Sequence, residues 1–356
     1  MSLTGAPLHS ATSLAVQVGE STLTLRNVLP SDIQAVLALH TEVFGSGADV
    51  SWFDWKYGQS PNQGQGRAVG AWHDRQLVAY CGGLPRTLWL RNTNLRGLQI
   101  GDVMVHPAWR GILSRRGPFF QVSKRFYDSQ IGTPDKPFEL GFGFPNERHL
   151  RLAVLLGLLH DGGVIESLLW SSLPAASFRL PWHWRWQPLA PSSPRFDRAV
   201  NAAWTSMQTE LPGVMLGQRD SAYFRWRYAD RPNTSRANAD RTPRYRFFEL
   251  RSLWQRTSSG IAVMELKPTT CHWLDWVGPA RLMPLVSHAC RIEAACAGAS
   301  ALTAWASSAV AGHLMHSDIQ HREVCAGLGI PASSDLGPHD MADMQWWLMG
   351  GDTDFL

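Results

Sequence analysis

Lysine and cysteine are scarce in this sequence. Lysine supplies four of the 33 basic residues, so the other 29 are arginines, and they are spread over both halves of the chain. A net charge of +4 without a dense basic stripe argues against a nucleic-acid partner. The five cysteines form no Cys-x-x-Cys pair, which argues against a disulfide framework and against a zinc site. We therefore expect a cytoplasmic protein that binds no metal.

Long apolar runs are also missing. The longest one, from Leu152 to Leu159, is interrupted by Gly157 and is much shorter than the roughly 20 residues that a helix needs to cross a bilayer. The N-terminal segment, Met1 to Glu20, lacks both the basic start and the continuous apolar stretch of an export signal. The sequence thus predicts no membrane partner, and we expect a monomer or a homodimer.

The apolar content of the chain is sufficient for a large core. Hydrophobic residues make up 44% of the 356 residues, and charged residues make up only 17%. A chain of this length exceeds the usual size of one domain, so we expect two. Five prolines between Pro174 and Pro194 indicate a linker. This divides the chain into a first domain at residues 20–172, a linker at 173–195 and a second domain at 196–356.

One segment carries more functional information than the rest of the chain. A strand predicted at Gln99 to Val105 leads through an arginine- and glycine-rich loop into a helix predicted from Pro118 to Gln130. A helix start offers unpaired amides and the positive end of its dipole, and guanidinium groups form paired hydrogen bonds to phosphate oxygens. The chain has no Gly-x-x-x-x-Gly-Lys-Ser/Thr loop, and no Gly-x-Gly-x-x-Gly follows this strand. We interpret the segment as a pyrophosphate site of another kind.

The end of this strand and the start of its loop resemble motif A of the GNAT family of acyl-CoA-dependent N-acyltransferases. The matching residues are Val103, Val105, Pro107, Arg110 and Gly111. In that family the motif continues into a loop of the form Gln/Arg-x-x-Gly-x-Gly/Ala. Counted from Ser114, this loop has Gly117 at the first glycine position but Phe119 at the last small position, and 112–115 form a short insertion.

The resemblance implies acetyl-CoA or another acyl-CoA as co-substrate, held by the backbone of a splayed strand and by the arginine loop. Asn146 matches a position beside the cofactor at the start of the next predicted helix, where an asparagine is equally a good N-cap. The expected cofactor contacts are Met104, Val105, His106, Arg110, Gly111, Ser114, Arg115, Arg116, Gly117, Pro118, Phe119 and Asn146.

Acylation of an amine needs a group that accepts the amine proton. Asp102 is our first candidate, because a carboxylate in an otherwise apolar strand would have its charged form disfavoured and its pKa raised. The alternative for Asp102 is a structural role, bonded to backbone or to arginine. His106 is the second candidate base. We expect Trp52, Trp55 and Asp102 to contact the acceptor.

The general acid of many GNAT relatives has no visible counterpart in this sequence. In those relatives a tyrosine about four residues before a Gly-Phe pair protonates the departing thiolate. When Gly157 and Leu158 are aligned with that pair, Ala153 takes the place of the tyrosine. Either another residue supplies the proton or the thiolate leaves without assistance.

The order of predicted strands and helices in residues 20–172 is that of the GNAT fold, and the pattern repeats more weakly after the linker. The run Arg219 to Tyr228 and the ending Trp346 to Asp354 resemble the C-terminal domains of two-domain GNAT relatives. The predicted fold class is therefore α/β, with two tandem GNAT-like domains that each have a mixed central sheet flanked by helices. In the second domain only Gly278 to Arg281 separate strand from helix, without an arginine-glycine loop. We expect this domain to bind no cofactor and to form a wall of the acceptor site.

Three functions remain open at this point. The first is an acyl-CoA-dependent N-acyltransferase that acts on a small polar amine such as an amino sugar. The second is an aminoacyl-tRNA-dependent transferase of the peptidoglycan-bridge (FemX-like) type, against which the low positive charge and the arginine loop argue. The third is a non-catalytic acyl-CoA-binding module, which the altered glycine pattern and the missing tyrosine favour.

Overall fold

One continuous mixed β-sheet runs through both halves of the chain. The computed structural model describes residues 13–45, 48–60, 64–132, 135–232, 244–254, 259–335 and 344–353. The strands, in chain order, are β1 (Leu14–Val18), β2 (Ser21–Asn27), β3 (Gln59–Ser60), β4 (Gly64–Gln65), β5 (Arg67–His73), β6 (Gln76–Leu90), β7 (Thr93–Val105), β8 (Leu140–Gly143), β9 (Leu159–Ser171), β10 (Trp184–Pro188), β11 (Val214–Gly217), β12 (Tyr245–Ser252), β13 (Gly260–Glu265), β14 (Thr270–Val277), β15 (Ala301–Ser307), β16 (His321–Pro331) and β17 (Gln345–Trp347).

Eight α-helices accompany these strands in the described ranges. They are α1 (Ile33–Phe44), α2 (Val50–Tyr57), α3 (Pro118–Gln130), α4 (Glu147–Leu155), α5 (Phe196–Glu210), α6 (Ser221–Phe224), α7 (Met283–Cys296) and α8 (Ser308–Gly312). A π-helical turn, Arg225–Ala229, continues α6. Within the described residues, no helix is both long and apolar enough to cross a bilayer.

The strand order joins two similar halves edge to edge. Across the main sheet the order is β1, β2, β5, β6, β7, β8, β16, β9, β15, β14, β13, β12 and β10, and β11 links the end of β6 to β17. In each half a central strand pairs in parallel with its neighbour: β7 with β8, and β14 with β15. The predicted mixed sheet flanked by helices is confirmed.

The two halves share strands across the predicted boundary. β16 comes from the C-terminal part of the chain, yet it lies between β8 and β9 and completes the sheet of the first half. Gly329 of β16 allows this strand to pack closely against β9, because a Cβ added to it would lie 2.7 Å from the Leu159 side chain. The ranges 20–172 and 196–356 therefore do not correspond to two separate sheets, and they stay a prediction as folding units.

The proline-rich segment 173–195 is more than a linker. It contains β10, which forms the edge of the sheet by antiparallel pairing with β12. Trp186 explains why this segment is ordered, since its ring stacks on Phe248 with centroids 5.3 Å apart and planes at 2°. Burial of aromatic area outweighs the loop character that five prolines predict.

Candidate active site

β7 has a bulge at the place where the sequence predicts the reaction centre. Tyr80 of β6 faces Met104 and Gly82 faces Gly101, so Asp102 and Val103 together stand opposite one residue of β6. Asp102 has a φ of +51°, in the left-handed region that aspartate tolerates better than most residues. The bulge turns its side chain away from the regular alternation of the strand.

β7 and β8 separate immediately before this bulge. Their parallel pairing runs from Gly97 opposite Leu140 to Ile100 opposite Gly143, where β8 ends. The His106 amide donates to the Val78 carbonyl of β6 at 2.8 Å, so strand alternation directs the backbone groups of Val105 and Val103 away from β6, toward the opening. The Val105 carbonyl accepts a hydrogen bond from Arg110 Nε at 2.9 Å.

The Asp102 carboxylate is bound by two side chains of α2. Its Oδ2 atom accepts hydrogen bonds from Lys56 Nζ at 2.7 Å and from the Tyr57 hydroxyl at 2.6 Å. The Lys56 side chain is 1% exposed, whereas that of Asp102 is 13% exposed. The prediction that Asp102 lies in apolar surroundings is therefore wrong, because a buried ammonium group faces it. No described residue donates to its second oxygen, Oδ1.

α2 is the element that sequence analysis missed. It begins after Asp49, whose Oδ1 atom accepts a hydrogen bond from the Trp52 amide at 2.8 Å. An aspartate N-cap three residues before this tryptophan is a usable helix signal. The Trp52 ring covers the Lys56 ammonium group at 4.7 Å from its centroid, which places Trp52 beside the Asp102 pair.

His40 of α1 joins this group and was also missed. Its ring lies 5.3 Å from the Trp52 ring and 4.9 Å from the Phe44 ring, and its buried Nδ1 has no hydrogen-bond partner among the described residues. Burial lowers the pKa of His40, with a smaller upward effect of Asp102 and a downward effect of Lys56. Its position in the apolar stripe of α1, four residues after Val36, was the available signal.

His106 and Asn146 have local partners. His106 Nδ1 accepts a hydrogen bond from the Ala108 amide at 3.3 Å, at the start of the 3-10 turn Pro107–Trp109. The Asn146 side chain accepts from the His149 amide at 2.9 Å and caps α4, as the sequence predicts. Their roles toward a cofactor stay predictions.

The loop before α3 forms an open, positively charged helix start. Gly117 is required there because a Cβ would collide with the Ile112 carbonyl. No side chain in the described part of the chain caps α3, and its first turn leaves the Phe119 and Phe120 amides without an intrahelical acceptor. Arg115 and Arg116 are exposed beside them. Gln121 Nε2 donates to the Arg115 carbonyl at 2.6 Å, which fixes the loop.

A cleft of about 340 Å³ adjoins this loop. It lies between α3 and the turn after α4, and its walls include Arg115, Phe120, Lys124, Tyr127, Leu156 and Gly157. Lys124 Nζ is paired with Asp128 Oδ2 at 2.7 Å on the outer side of α3. The cleft therefore offers cationic, aromatic and apolar groups next to the helix start.

The predicted acceptor contact Trp55 packs against the second half of the chain. Its ring stacks on Trp226 with centroids 5.3 Å apart, and each indole NH donates to the backbone carbonyl of the other, at 2.7 and 3.1 Å. This contact fixes the position of α2, and hence of Lys56 and Tyr57. The second half thus supports the helix that carries the partners of Asp102, and its role as a wall of the acceptor site stays a prediction.

Ala153, at the tyrosine position of GNAT relatives, is buried. It supplies no acid, as the sequence shows. In the described ranges no group of three His, Cys, Asp or Glu side chains is arranged to hold a metal ion. The polar groups around the bulge are the Asp102 carboxylate, the Lys56 ammonium group, the Tyr57 hydroxyl and the His40 imidazole.

Part of the first half of the chain matches a known domain model. Residues 24–129 match the model of the acetyltransferase (GNAT) domain. Among solved structures, the chain is similar to a probable N-acyltransferase from Enterococcus faecalis, with a TM-score of 0.60, 10% identity and coverage of 88% of this chain and 73% of that one. No curated protein matches the sequence.

Two further structures extend the likeness. A GCN5-related N-acetyltransferase from Kribbella flavida gives a TM-score of 0.56 at 14% identity, covering 86% of this chain and 70% of that one. N-myristoyltransferase from Saccharomyces cerevisiae, solved with myristoyl-CoA, gives a TM-score of 0.50 at 12% identity, covering 93% of this chain and 81% of that one. The chain thus matches the GNAT domain model over residues 24–129, and its described fold is similar to that of these solved N-acyltransferase structures.

Proposed function

We propose that the protein transfers an acyl group from a CoA thioester, acetyl-CoA in the first instance, to the amine of a small polar molecule such as an amino sugar. The observation that carries this proposal is the opening between β7 and β8 next to an uncapped, arginine-flanked helix start. An extended thiol arm fits the first feature and a pyrophosphate fits the second.

The proposed position of CoA follows the polar groups of the site. The pyrophosphate lies against the loop Gly111 to Phe119, where Arg115 and Arg116 are exposed. The pantetheine arm runs along the backbone of Val103 and Val105, past Asn146. The nucleotide end extends toward the cleft of about 340 Å³ beside α3. Most of these contacts use backbone groups, so they tolerate substitution of the strand side chains.

Asp102 is the proposed proton acceptor in this reaction. The amine nitrogen attacks the thioester carbonyl, its proton passes to Oδ1 of Asp102, and the C–S bond breaks to release CoA thiolate. Lys56 and Tyr57 hold Oδ2 and so fix the carboxylate. A backbone amide at the bulge polarises the carbonyl. His40 and His106 are the alternative bases, and no residue is assigned as general acid.

The polar character of the acceptor is inferred from the same group. Oδ1 of Asp102 and the half-buried Trp52 and His40 rings line the side of the bulge that faces α1 and α2. A carboxylate oxygen suits an ammonium group or a hydroxyl, and the flat rings suit the apolar face of a sugar.

The test is release of free thiol from acyl-CoA in the presence of acceptors. Acetyl-CoA and longer acyl-CoAs are each incubated with the protein and with amino sugars, and the matching sugars that lack the amine serve as controls. We expect thiol release that requires the amine and is greatest with acetyl-CoA. Tight CoA binding without amine-dependent thiol release would identify a non-catalytic acyl-CoA-binding module. Tight binding of tRNA instead of CoA would identify an aminoacyl-tRNA-dependent transferase.

A further inference from the structure

An exposed aromatic patch lies far along the sheet, at the edge formed by β10 and β12. We define the indole patch as Trp182, His183, Leu253 and Trp254. Both tryptophan side chains are 70% exposed and Leu253 is 49% exposed, whereas most tryptophans of the chain are buried or half-buried. Exposed apolar groups of this size usually mark a binding surface.

The patch is rigid rather than a loose surface loop. The His183 and Trp254 rings stack with centroids 4.8 Å apart and planes at 4°, and Trp182 meets Trp254 edge-on at 5.4 Å. The Leu253 amide donates to the His183 carbonyl at 2.8 Å, which ties the two chain segments together. The indoles therefore project from a fixed base, and little conformational entropy is lost when they bind a partner.

The surroundings of the patch are positive. Arg185 of β10 and Arg251 of β12 stand directly opposite each other, an arrangement that costs stability. Neither guanidinium pairs with a carboxylate among the described residues. The sequence from 171 to 195 contains three arginines and no acidic residue. Glu249, two residues before Arg251 on β12, is already held by Arg195 and Gln187.

We propose that the indole patch and its two arginines dock the protein on the surface of an anionic lipid bilayer. Indoles settle at the boundary between headgroups and acyl chains, and arginines attract anionic headgroups. Anionic headgroups would also relieve the repulsion between Arg185 and Arg251. A nucleic acid fits less well, because the stacked His183 and Trp254 cover one another's faces and the exposed leucine offers a base no polar contact. This surface is separate from the active site, and the proposal does not depend on the acyl-transfer function.

The experiment is sedimentation of the full chain with sucrose-loaded vesicles of phosphatidylcholine alone or with 30% phosphatidylglycerol, a composition chosen to be about one-third anionic. Two variants test the two components: W182A/W254A removes the indoles, and R185Q/R251Q removes the charges. Val324→Ala is the control, since Val324 is an exposed apolar residue on another strand.

We expect binding to the anionic vesicles that is at least about tenfold weaker for either double variant and unchanged for Val324→Ala. Added salt should weaken binding of the parent, because surface charges are screened. Equal affinity for neutral vesicles, no vesicle binding at all, or retention of binding by both double variants would overturn the proposal. So would binding of tRNA through this patch, or patch-dependent dimerisation, in the absence of vesicle binding. Unfolding curves of the variants verify that the exposed substitutions leave the fold intact.

Discussion

β7 and β14 occupy corresponding places in the two halves, and each carries an aspartate beside a bulge. In β14 the pairing with β13 shifts between Val263 and Met264, next to Asp275. Asp102 is bound by one cation and one tyrosine hydroxyl, Lys56 and Tyr57. Asp275 has the same kinds of partner, Arg219 Nε at 2.9 Å and the Tyr228 hydroxyl at 2.8 Å.

The two strands differ in what lies over them. The region around Asp102 opens where β8 ends, but the corresponding region beside β14 is filled by the C-terminal segment Met349–Thr353. Met349 forms an isolated antiparallel β-bridge with Ala306 of β15. Gly351 lies so close to β14 that a Cβ added to it would be 3.0 Å from the Leu274 carbonyl oxygen. Asp275 is consequently 0% exposed.

The filling segment is itself held by buried charges. The Asp352 carboxylate accepts hydrogen bonds from Arg219 and, at 3.1 Å, from Arg86, while Gln99 of β7 donates to the Asp352 carbonyl at 2.6 Å. Arg219 thereby connects the Asp275 carboxylate with the Asp352 carboxylate. The comparison shows one local arrangement in two settings. Asp102 lies beside an opening and keeps 13% of its side chain exposed, as the proposed proton transfer requires, whereas Asp275 is fully buried at the junction of the halves.

The largest expected effect is on turnover at the open carboxylate. Asp102→Asn should lower turnover about 10²- to 10⁴-fold, the usual contribution of a general base, with CoA affinity nearly unchanged. Asparagine has nearly the same size as aspartate, and its side-chain oxygen can still accept hydrogen bonds from Lys56 and Tyr57, so the variant should remain folded. Steady-state kinetics and calorimetry of CoA binding measure the two quantities, with the exposed Asp54→Asn on the same helix as control. Turnover within a few-fold of the parent would assign Asp102 to structure and favour His40 or His106 as the base.

Substitution of the buried carboxylate, Asp275, should lower the stability of the protein. Asp275→Asn leaves the fully buried Arg219 with less compensating charge, and arginine does not deprotonate in proteins. We expect a loss of about 3 to 5 kcal/mol in the free energy of unfolding. Denaturant unfolding measures it, with Asp197→Asn as control because the Asp197–Arg225 pair is exposed. A loss below about 1 kcal/mol, like that expected for the surface pair, would show that the buried network does not stabilise the junction.

A smaller effect should appear in the pH dependence of stability. The pKa of His40 is lowered by burial, so the unfolded chain, whose histidines have a pKa near 6.5, takes up a proton at higher pH than the folded one. Stability contributed by the neutral ring is present above about pH 6.5 and is lost as the pH falls toward the lowered pKa. The charged groups that act on the pKa of His40 are Asp102 of β7, which raises it, and Lys56 of α2, which lowers it.

His40→Gln should therefore lose less stability than the parent between about pH 7 and pH 5. The loss should not disappear, because burial also lowers the pKa values of His149 and His272. Urea unfolding at several pH values measures the difference, and the exposed His160→Gln is the control. Parallel stability curves for the parent and His40→Gln would contradict the assigned direction.

Short-range patterns in the sequence were sufficient to predict the strand and the helix on either side of the proposed cofactor loop. The helix predicted from Pro118 to Gln130 has these bounds in the structure, and β7 contains the predicted strand. Proline at the first helical position and an apolar face fix such an element locally. These elements, together with the resemblance to motif A, led to the prediction of a GNAT-type order of strands and helices.

The partners of Asp102 could not be predicted in this way. Lys56 and Tyr57 are 46 and 45 residues away in sequence, and no periodicity links them to β7. The same limit applies to β16, which returns to the first half from the C-terminal region, and to the segment that seals β14. These pairings are set by tertiary packing, which a one-dimensional pattern does not encode.

The number of CoA molecules bound per chain tests the difference between the two halves most directly. Isothermal titration calorimetry with CoA should give one molecule per chain for the parent protein. R115A/R116A should bind it more weakly, by a few kcal/mol at most, since each charge-assisted hydrogen bond contributes about 1.5 to 3 kcal/mol. The exposed Arg198→Ala on α5 should bind CoA as the parent does. Two molecules per chain, or unchanged affinity in R115A/R116A, would contradict a single cofactor site at the loop before α3.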